Sequence, residues 1–128
     1  MEKKKILVVD DEPDFLKIIK IRLESDGYET LLCDNGKDAL NIIKKDKPDA
    51  VLLDILMPEL DGLEVLRTIR KQDKNLPVFI ITAFSNNERF ELAKKFNASG
   101  FIVKTSDLGE EIGNINSFLR LADNYKKK

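Results

Sequence analysis

At 128 residues the chain has the length of one domain, enough to bury a core without disulfides or a structural metal. Its 22 basic and 23 acidic residues nearly cancel, which removes the electrostatic case for nucleic acid. A single cysteine and no histidine exclude an internal disulfide, the usual zinc sites and every histidine-based triad, and point to a reduced, cytosolic protein.

The amino-terminal Met1-Glu2-Lys3-Lys4-Lys5 is followed by only Ile6 to Val9 before Asp10, too few apolar residues for a signal peptide or a membrane span. Residues 5–10 instead form the first of five short strands expected to be buried on both faces, the others being 28–33, 49–54, 77–82 and 99–103. Pro13 suits a first helical turn, and Phe15, Leu16, Ile18, Ile19 and Leu23 recur at helical spacing up to Asp26-Gly27, a left-handed helix end. Cys33 closes the second strand as a small buried residue rather than a reactive thiol. A second helix carries Ala39, Leu40, Ile42 and Ile43, and Pro48 leads into the third strand. Asp61-Gly62-Leu63-Glu64 reads as a capping-box-like start for a helix with Leu63, Val65, Leu66 and Ile69 inward, which gives Asp61 a structural role.

Pro77 leads into the fourth strand, and Asp107-Leu108-Gly109-Glu110 repeats the capping pattern before a last helix with Leu108, Ile112, Ile115, Phe118, Leu119 and Ala122 on its apolar face. Gly109 and Gly113 each cost that helix about 1 kcal/mol relative to alanine, making it the least stable of the set. Residues 1–123 are expected to form the domain, with 124–128 a basic tail or linker stub. Alternating strands and helices of this size define an α/β, three-layer, flavodoxin-like (βα)5 fold with a parallel five-stranded sheet in the order 2-1-3-4-5.

In that order the first and third strands are neighbours, so Asp10, Asp11 and Asp54 meet at the switch point where ligands bind in open α/β sheets. Carboxylates forced together repel, which favours a bound cation. Mg²⁺ takes six oxygens at about 2.1 Å and keeps several waters, so a few protein ligands suffice. Asp11, Asp54 and the backbone carbonyl of Leu56 are the expected direct ligands, with Asp10 acting through water. Charge neutralisation there leaves one oxygen of Asp54 available to attack phosphorus and form an acyl phosphate. Thr82 and Lys104, ending the fourth and fifth strands, offer a hydroxyl and an ammonium to the phosphoryl oxygens. Taken singly, each of these residues has a plain structural explanation. Their convergence on one sheet edge is what argues for a site.

Val8-Val9-Asp10-Asp11-Glu12, Leu53-Asp54-Ile55-Leu56-Met57-Pro58 with Asp61-Gly62, Thr82-Ala83 and Lys104 closely resemble the motifs of response-regulator receiver domains of two-component signalling, over essentially the whole chain. The resemblance implies phosphorylation of Asp54 by a histidine kinase, a histidine phosphotransfer protein or a small phosphodonor, with Mg²⁺, or Mn²⁺ in its place, required. It implies a cytoplasmic phosphoacceptor rather than a turnover enzyme, with no membrane or nucleic-acid contact of its own. By the same resemblance Thr82 swings toward the phosphoryl group, Phe101 moves inward, and the surface of helix 4, strand 5 and helix 5 changes state for an output protein or domain. A monomer or a weak phosphorylation-dependent dimer is implied.

The chain departs from the family at Thr105, where a proline after a cis peptide is usual. A cis bond to a non-proline costs about 3–4 kcal/mol, so a trans Lys104-Thr105 bond is expected. Asn97-Ala98 replaces a common glycine-alanine, and asparagine tolerates the left-handed region. A haloacid-dehalogenase-type phosphatase would need an acid where Leu56 stands and room for a substrate cap. A flavodoxin would need a Ser/Thr/Gly-rich phosphate loop where Asp10-Asp11-Glu12-Pro13 stands. A phosphorylation-independent interaction module has only the missing proline in its favour. Leu56 and Phe84, two residues beyond Asp54 and Thr82, are apolar where the family often carries polar side chains that position water. They are expected to shield the acyl phosphate, so a Leu56→Asn, Phe84→Glu variant should lose phosphate faster than wild type when its decay is followed by intact mass.

Overall fold

The structure, a computed structural model, describes residues 3–55, 61–82 and 87–103, together with positions 113, 117 and 120. Five strands and four helices alternate in these residues: β1 (Lys5–Val9), α1 (Pro13–Ser25), β2 (Glu29–Cys33), α2 (Gly36–Asp46), β3 (Ala50–Asp54), α3 (Gly62–Gln72), β4 (Val78–Thr82), α4 (Asn87–Lys95) and β5 (Gly100–Val103). The strands pair in parallel in the order β2-β1-β3-β4-β5, as the sequence pattern predicts. Gly113, Ser117 and Arg120 are helical, and the Ser117 hydroxyl donates to the Gly113 carbonyl at 3.1 Å, one helical turn back. The remaining expectations for 104–128, including the Lys104-Thr105 bond, the last helix's inward face and the tail, lie outside the described residues.

Period-two alternation divides the strand side chains between the two faces of the sheet. Leu7, Val9, Val51, Leu53, Val78 and Ile80 pack with Ala39 of α2, Val65, Leu66 and Ile69 of α3, and Ala93 of α4. Ile6, Val8, Leu52, Phe79, Ile81 and Ile102 pack with Phe15, Leu16, Ile19 and Leu23 of α1. β1 and β3 lie inside the sheet and are buried throughout apart from Lys5. β2 departs from the expected two-sided burial: Glu29 and Leu32 are exposed, because an edge strand is flanked on one side only.

The helix punctuation follows local chemistry. Pro13 opens α1, where its missing N–H costs nothing. Gly27 follows α1 at φ 97°, and Asn97, between α4 and β5, sits at φ 63°, the left-handed conformation expected of it. Asn35 and Asp61 cap α2 and α3, accepting at 2.8 Å from the Asp38 and Leu63 amides.

Two clips at the amino-terminal edge fix the strand register. The Lys5 amide donates to the Asp49 carboxylate, and the Asp49 amide donates to the Lys5 carbonyl, both at 2.8 Å, joining the starts of β1 and β3. The Ser99 hydroxyl accepts from the Val78 amide at 3.0 Å while the Ser99 amide donates to the Val78 carbonyl at 2.7 Å, joining β4 and β5. Arg70 gathers the loops around the second clip: Nε donates to the Asn97 carbonyl at 2.9 Å, and Nη1 to the carbonyls of Leu76 at 2.7 Å and Asp73 at 3.1 Å. Burial lowers the Arg70 pKa, with Asp73 opposing, but a guanidinium still keeps its charge near neutrality. Arg70→Ala removes a charged donor from several carbonyls at once and should cost about 2–3 kcal/mol, measured by urea denaturation.

Candidate functional site

The register that pairs Val9 with Leu53 brings Asp10, one residue beyond β1, beside Asp54, the last residue of β3. Both carboxylates are almost sealed from solvent, at 1% and 4% relative exposure. Glu12 completes the group: one carboxylate oxygen from each of Asp10, Glu12 and Asp54 lies within 4.8 Å of the others. Asp10 is held from both directions. Its amide donates to the Cys33 carbonyl at 3.0 Å, and its Oδ1 accepts from the Glu12 amide at 2.9 Å.

That second bond folds the chain back at the start of α1 and turns Glu12 toward the strand ends. Asp11, expected from the sequence as a direct ligand, is exposed and is not one of the three gathered carboxylates. Glu12 stands in the quoted Asp10-Asp11-Glu12 motif without an assigned role. The signal that could have singled it out is Pro13, which fixes the helix start and makes Glu12 the N-cap residue, beside the positive end of the helix dipole.

On the other side of Asp54, α3 is seated directly against the end of β3. Gly62 lies so close to the Asp54 carbonyl oxygen and the Ile55 Cα that a side-chain carbon there would overlap both, and its amide donates to the Ile55 carbonyl at 3.3 Å. Asp61, one residue earlier, is structural as its sequence context suggests, with Oδ1 on the Leu63 amide at 2.8 Å. Its Oδ2 accepts from Arg89 of α4 at 2.9 Å, a contact no local pattern announced.

Thr82 ends β4 beside Val103, on the strand adjoining Asp54; its side chain lies outside the described ones, as do Leu56, Phe84 and Lys104. Phe101 is half-buried on β5 and meets Phe90 of α4 edge-on, ring centroids 5.1 Å apart. Cys33 is buried, its thiol donates to the Asn35 carbonyl at 2.9 Å, and burial pushes its pKa up, which matches the inert reading.

An open parallel α/β sheet with buried carboxylates at its switch point defines the class of doubly wound domains that bind ligands at that edge, and comparison narrows it. The response regulator receiver domain family matches residues 6–115, and the chain belongs to that family. It is 33% identical to sporulation initiation phosphotransferase F of Bacillus subtilis over 97% of this chain and 100% of that protein. It is 38% identical to the probable transcriptional regulator ycf27 of Porphyra purpurea, over 95% of this chain and 50% of that one. The chain thus spans about half the length of several curated relatives that it matches. Among solved structures, the response regulator TrrA of Thermotoga maritima, in complex with Mg²⁺-BeF, is 36% identical and superposes with a TM-score of 0.79 over 90% of this chain and 98% of that one.

The chain is therefore a receiver domain of two-component response regulators, and its acidic cluster fits a phosphoacceptor site. Three hard oxygen donors of like charge, two of them buried, also suit a divalent cation of the Mg²⁺ type. Among the described residues, no helix is long and apolar enough to cross a membrane. Cation binding should therefore be visible as stability. At about tenfold above its Kd, Mg²⁺ should add about 1.4 kcal/mol to the wild type. Asp10→Asn, which keeps an acceptor for the Glu12 amide, should melt higher than wild type without the cation and lose most of the cation-dependent gain, both read by thermal denaturation.

Proposed function

We propose that the domain accepts a phosphoryl group on Asp54 and relays that modification to an output. The observation that carries the reading is the buried Asp54 carboxylate at a strand end, gathered with Asp10 and Glu12, in a chain that belongs to the receiver family. One Asp54 oxygen attacks the phosphorus of a phosphohistidine on a histidine kinase or histidine phosphotransfer protein. The new P–O bond forms as the P–N bond breaks, and the departing imidazole nitrogen takes up a proton. With acetyl phosphate as donor, acetate leaves instead.

Asp10, Glu12 and Asp54 would hold Mg²⁺, with Asp11 at the rim and the Leu56 carbonyl a further donor; the cation, when bound, offsets the carboxylate repulsion and the charge of the phosphoryl oxygens. The structure of TrrA in complex with Mg²⁺-BeF supports this choice by relationship. Thr82 and Lys104 supply the hydroxyl and ammonium that hold the phosphoryl oxygens. Phe101, packed on Phe90, links β5 to α4, so a change at the site reaches the surface of α4, β5 and the last helix expected from the sequence, which a partner reads. The domain works in the cytoplasm and performs its own phosphotransfer and slow dephosphorylation rather than turnover of a free substrate.

Intact mass after incubation with Mg²⁺ and acetyl phosphate tests the reading. The wild type should gain one phosphoryl group, and Asp54→Ala should gain none. Equal labelling of both proteins, or of neither, refutes it.

A further inference from the structure

Helix α4 is fastened to α3 at both ends, and the two fastenings differ in kind. At its carboxyl end, the Asn97 carbonyl accepts from the half-buried Arg70, which also holds the Leu76 and Asp73 carbonyls, while the Arg67 guanidinium lies 5.8 Å from the centre of the Phe96 ring. The left-handed Asn97 turns the chain there into β5. Near its amino end, α4 is tied through Arg89 to Asp61 at 2.9 Å, a pair about one-third exposed on each side. Asp61 belongs to the same two-residue segment as Gly62, which touches the backbone of Asp54 and Ile55 with no space for a methyl group.

We infer that the Asp61–Arg89 ion pair is a latch that couples the position of α4 to the state of Asp54, with the Arg70-bound end acting as the hinge. The inference rests on the phosphoacceptor reading and deepens it, since it names the contact by which that site reaches α4. A group added to a carboxylate only 4% exposed needs room, and the backbone against which Gly62 is wedged is part of what must give. Movement of Gly62 carries Asp61 with it. The Asp61–Arg89 geometry then cannot be kept unless α4 follows, and the pair resists the change until it breaks or swings with the helix.

Coupling of this kind is reciprocal, so weakening the latch must ease occupancy of the site. Binding of beryllofluoride, prepared with Mg²⁺, is measured by calorimetry for the whole chain as wild type, Asp61→Asn, Arg89→Gln and Arg89→Lys. Asp61→Asn keeps the capping oxygen for α3, and Arg89 lies on the surface of α4, so all should fold, as circular dichroism will confirm. A partly exposed pair carries modest energy, so each neutralising variant should bind about two- to fivefold more tightly, with Arg89→Lys staying near wild type. Amide exchange across residues 87–95 should quicken in both neutralising variants before the ligand is added.

The direction separates the latch from plain charge. If the two residues act only through the electrostatic field, removing an acid weakens binding of the Mg²⁺-bearing probe and removing a base strengthens it, so the variants move apart. Opposite shifts, or none, overturn the latch. Failure of the wild type itself to bind overturns the phosphoacceptor reading and the latch with it.

Discussion

The structure turns on the parallel register in which Val9 lies beside Leu53, because that pairing places Asp10 next to Asp54. A slip of one residue would reverse the faces of β1 and separate the carboxylates. The register is held far from the charges, by the reciprocal bonds between Lys5 and Asp49 at the opposite edge and by apolar packing on both faces. Stability is thus concentrated where nothing reactive stands. Like charges collect at the carboxyl edge of the sheet, and the buried strands oppose the repulsion that results.

Much of this was legible because it follows from short-range rules. Runs such as Ile6-Leu7-Val8-Val9 and Val51-Leu52-Leu53 are strands buried on both faces, and prolines at 13, 48 and 77 mark boundaries to within a residue or two. With five βα units, handedness leaves few strand orders, and the order places Asp10 and Asp54 together. Gly27 and Asn97 take the left-handed conformations their residue types allow, and Asp61 caps α3. For β2 the sequence pattern predicts too deep a burial, because a leucine-rich run looks the same at an edge as at the centre. Exposure at Leu32 depends on neighbours that lie elsewhere in the chain.

What the pattern could not deliver was orientation at turns and contacts across long separations. Whether Asp11 or Glu12 joins Asp10 depends on one bond, from the Glu12 amide to Asp10 Oδ1, that folds the loop before α1. Pro13 marks Glu12 as the N-cap residue but does not reveal that this turn brings its carboxylate beside Asp10 and Asp54. Arg70 and Arg89 are ordinary helix-surface residues by periodicity, yet the first reaches the Asn97 carbonyl and the second Asp61, 27 and 28 positions away. Such pairings exist only after the helices have been laid side by side.

In the phosphoacceptor reading proposed above, these long-range arginines carry a change at Asp54 beyond its own edge of the sheet. Gly62 presses α3 against the end of β3, so α3 cannot ignore a change at Asp54. Arg70 makes the far end of α3 a fixed point for α4 and for the β4–β5 clip, whereas Asp61 makes the near end a movable one. In the inferred latch, α4 is pinned at one end and tied near the other through the partly exposed Asp61–Arg89 pair, which leaves rotation about the pinned end as its soft coordinate. Phe90, on α4, carries that coordinate to Phe101 and hence to β5. On that inference the buried sheet serves as the fixed centre and α4 as a hinged flank, with the acid cluster where the two meet.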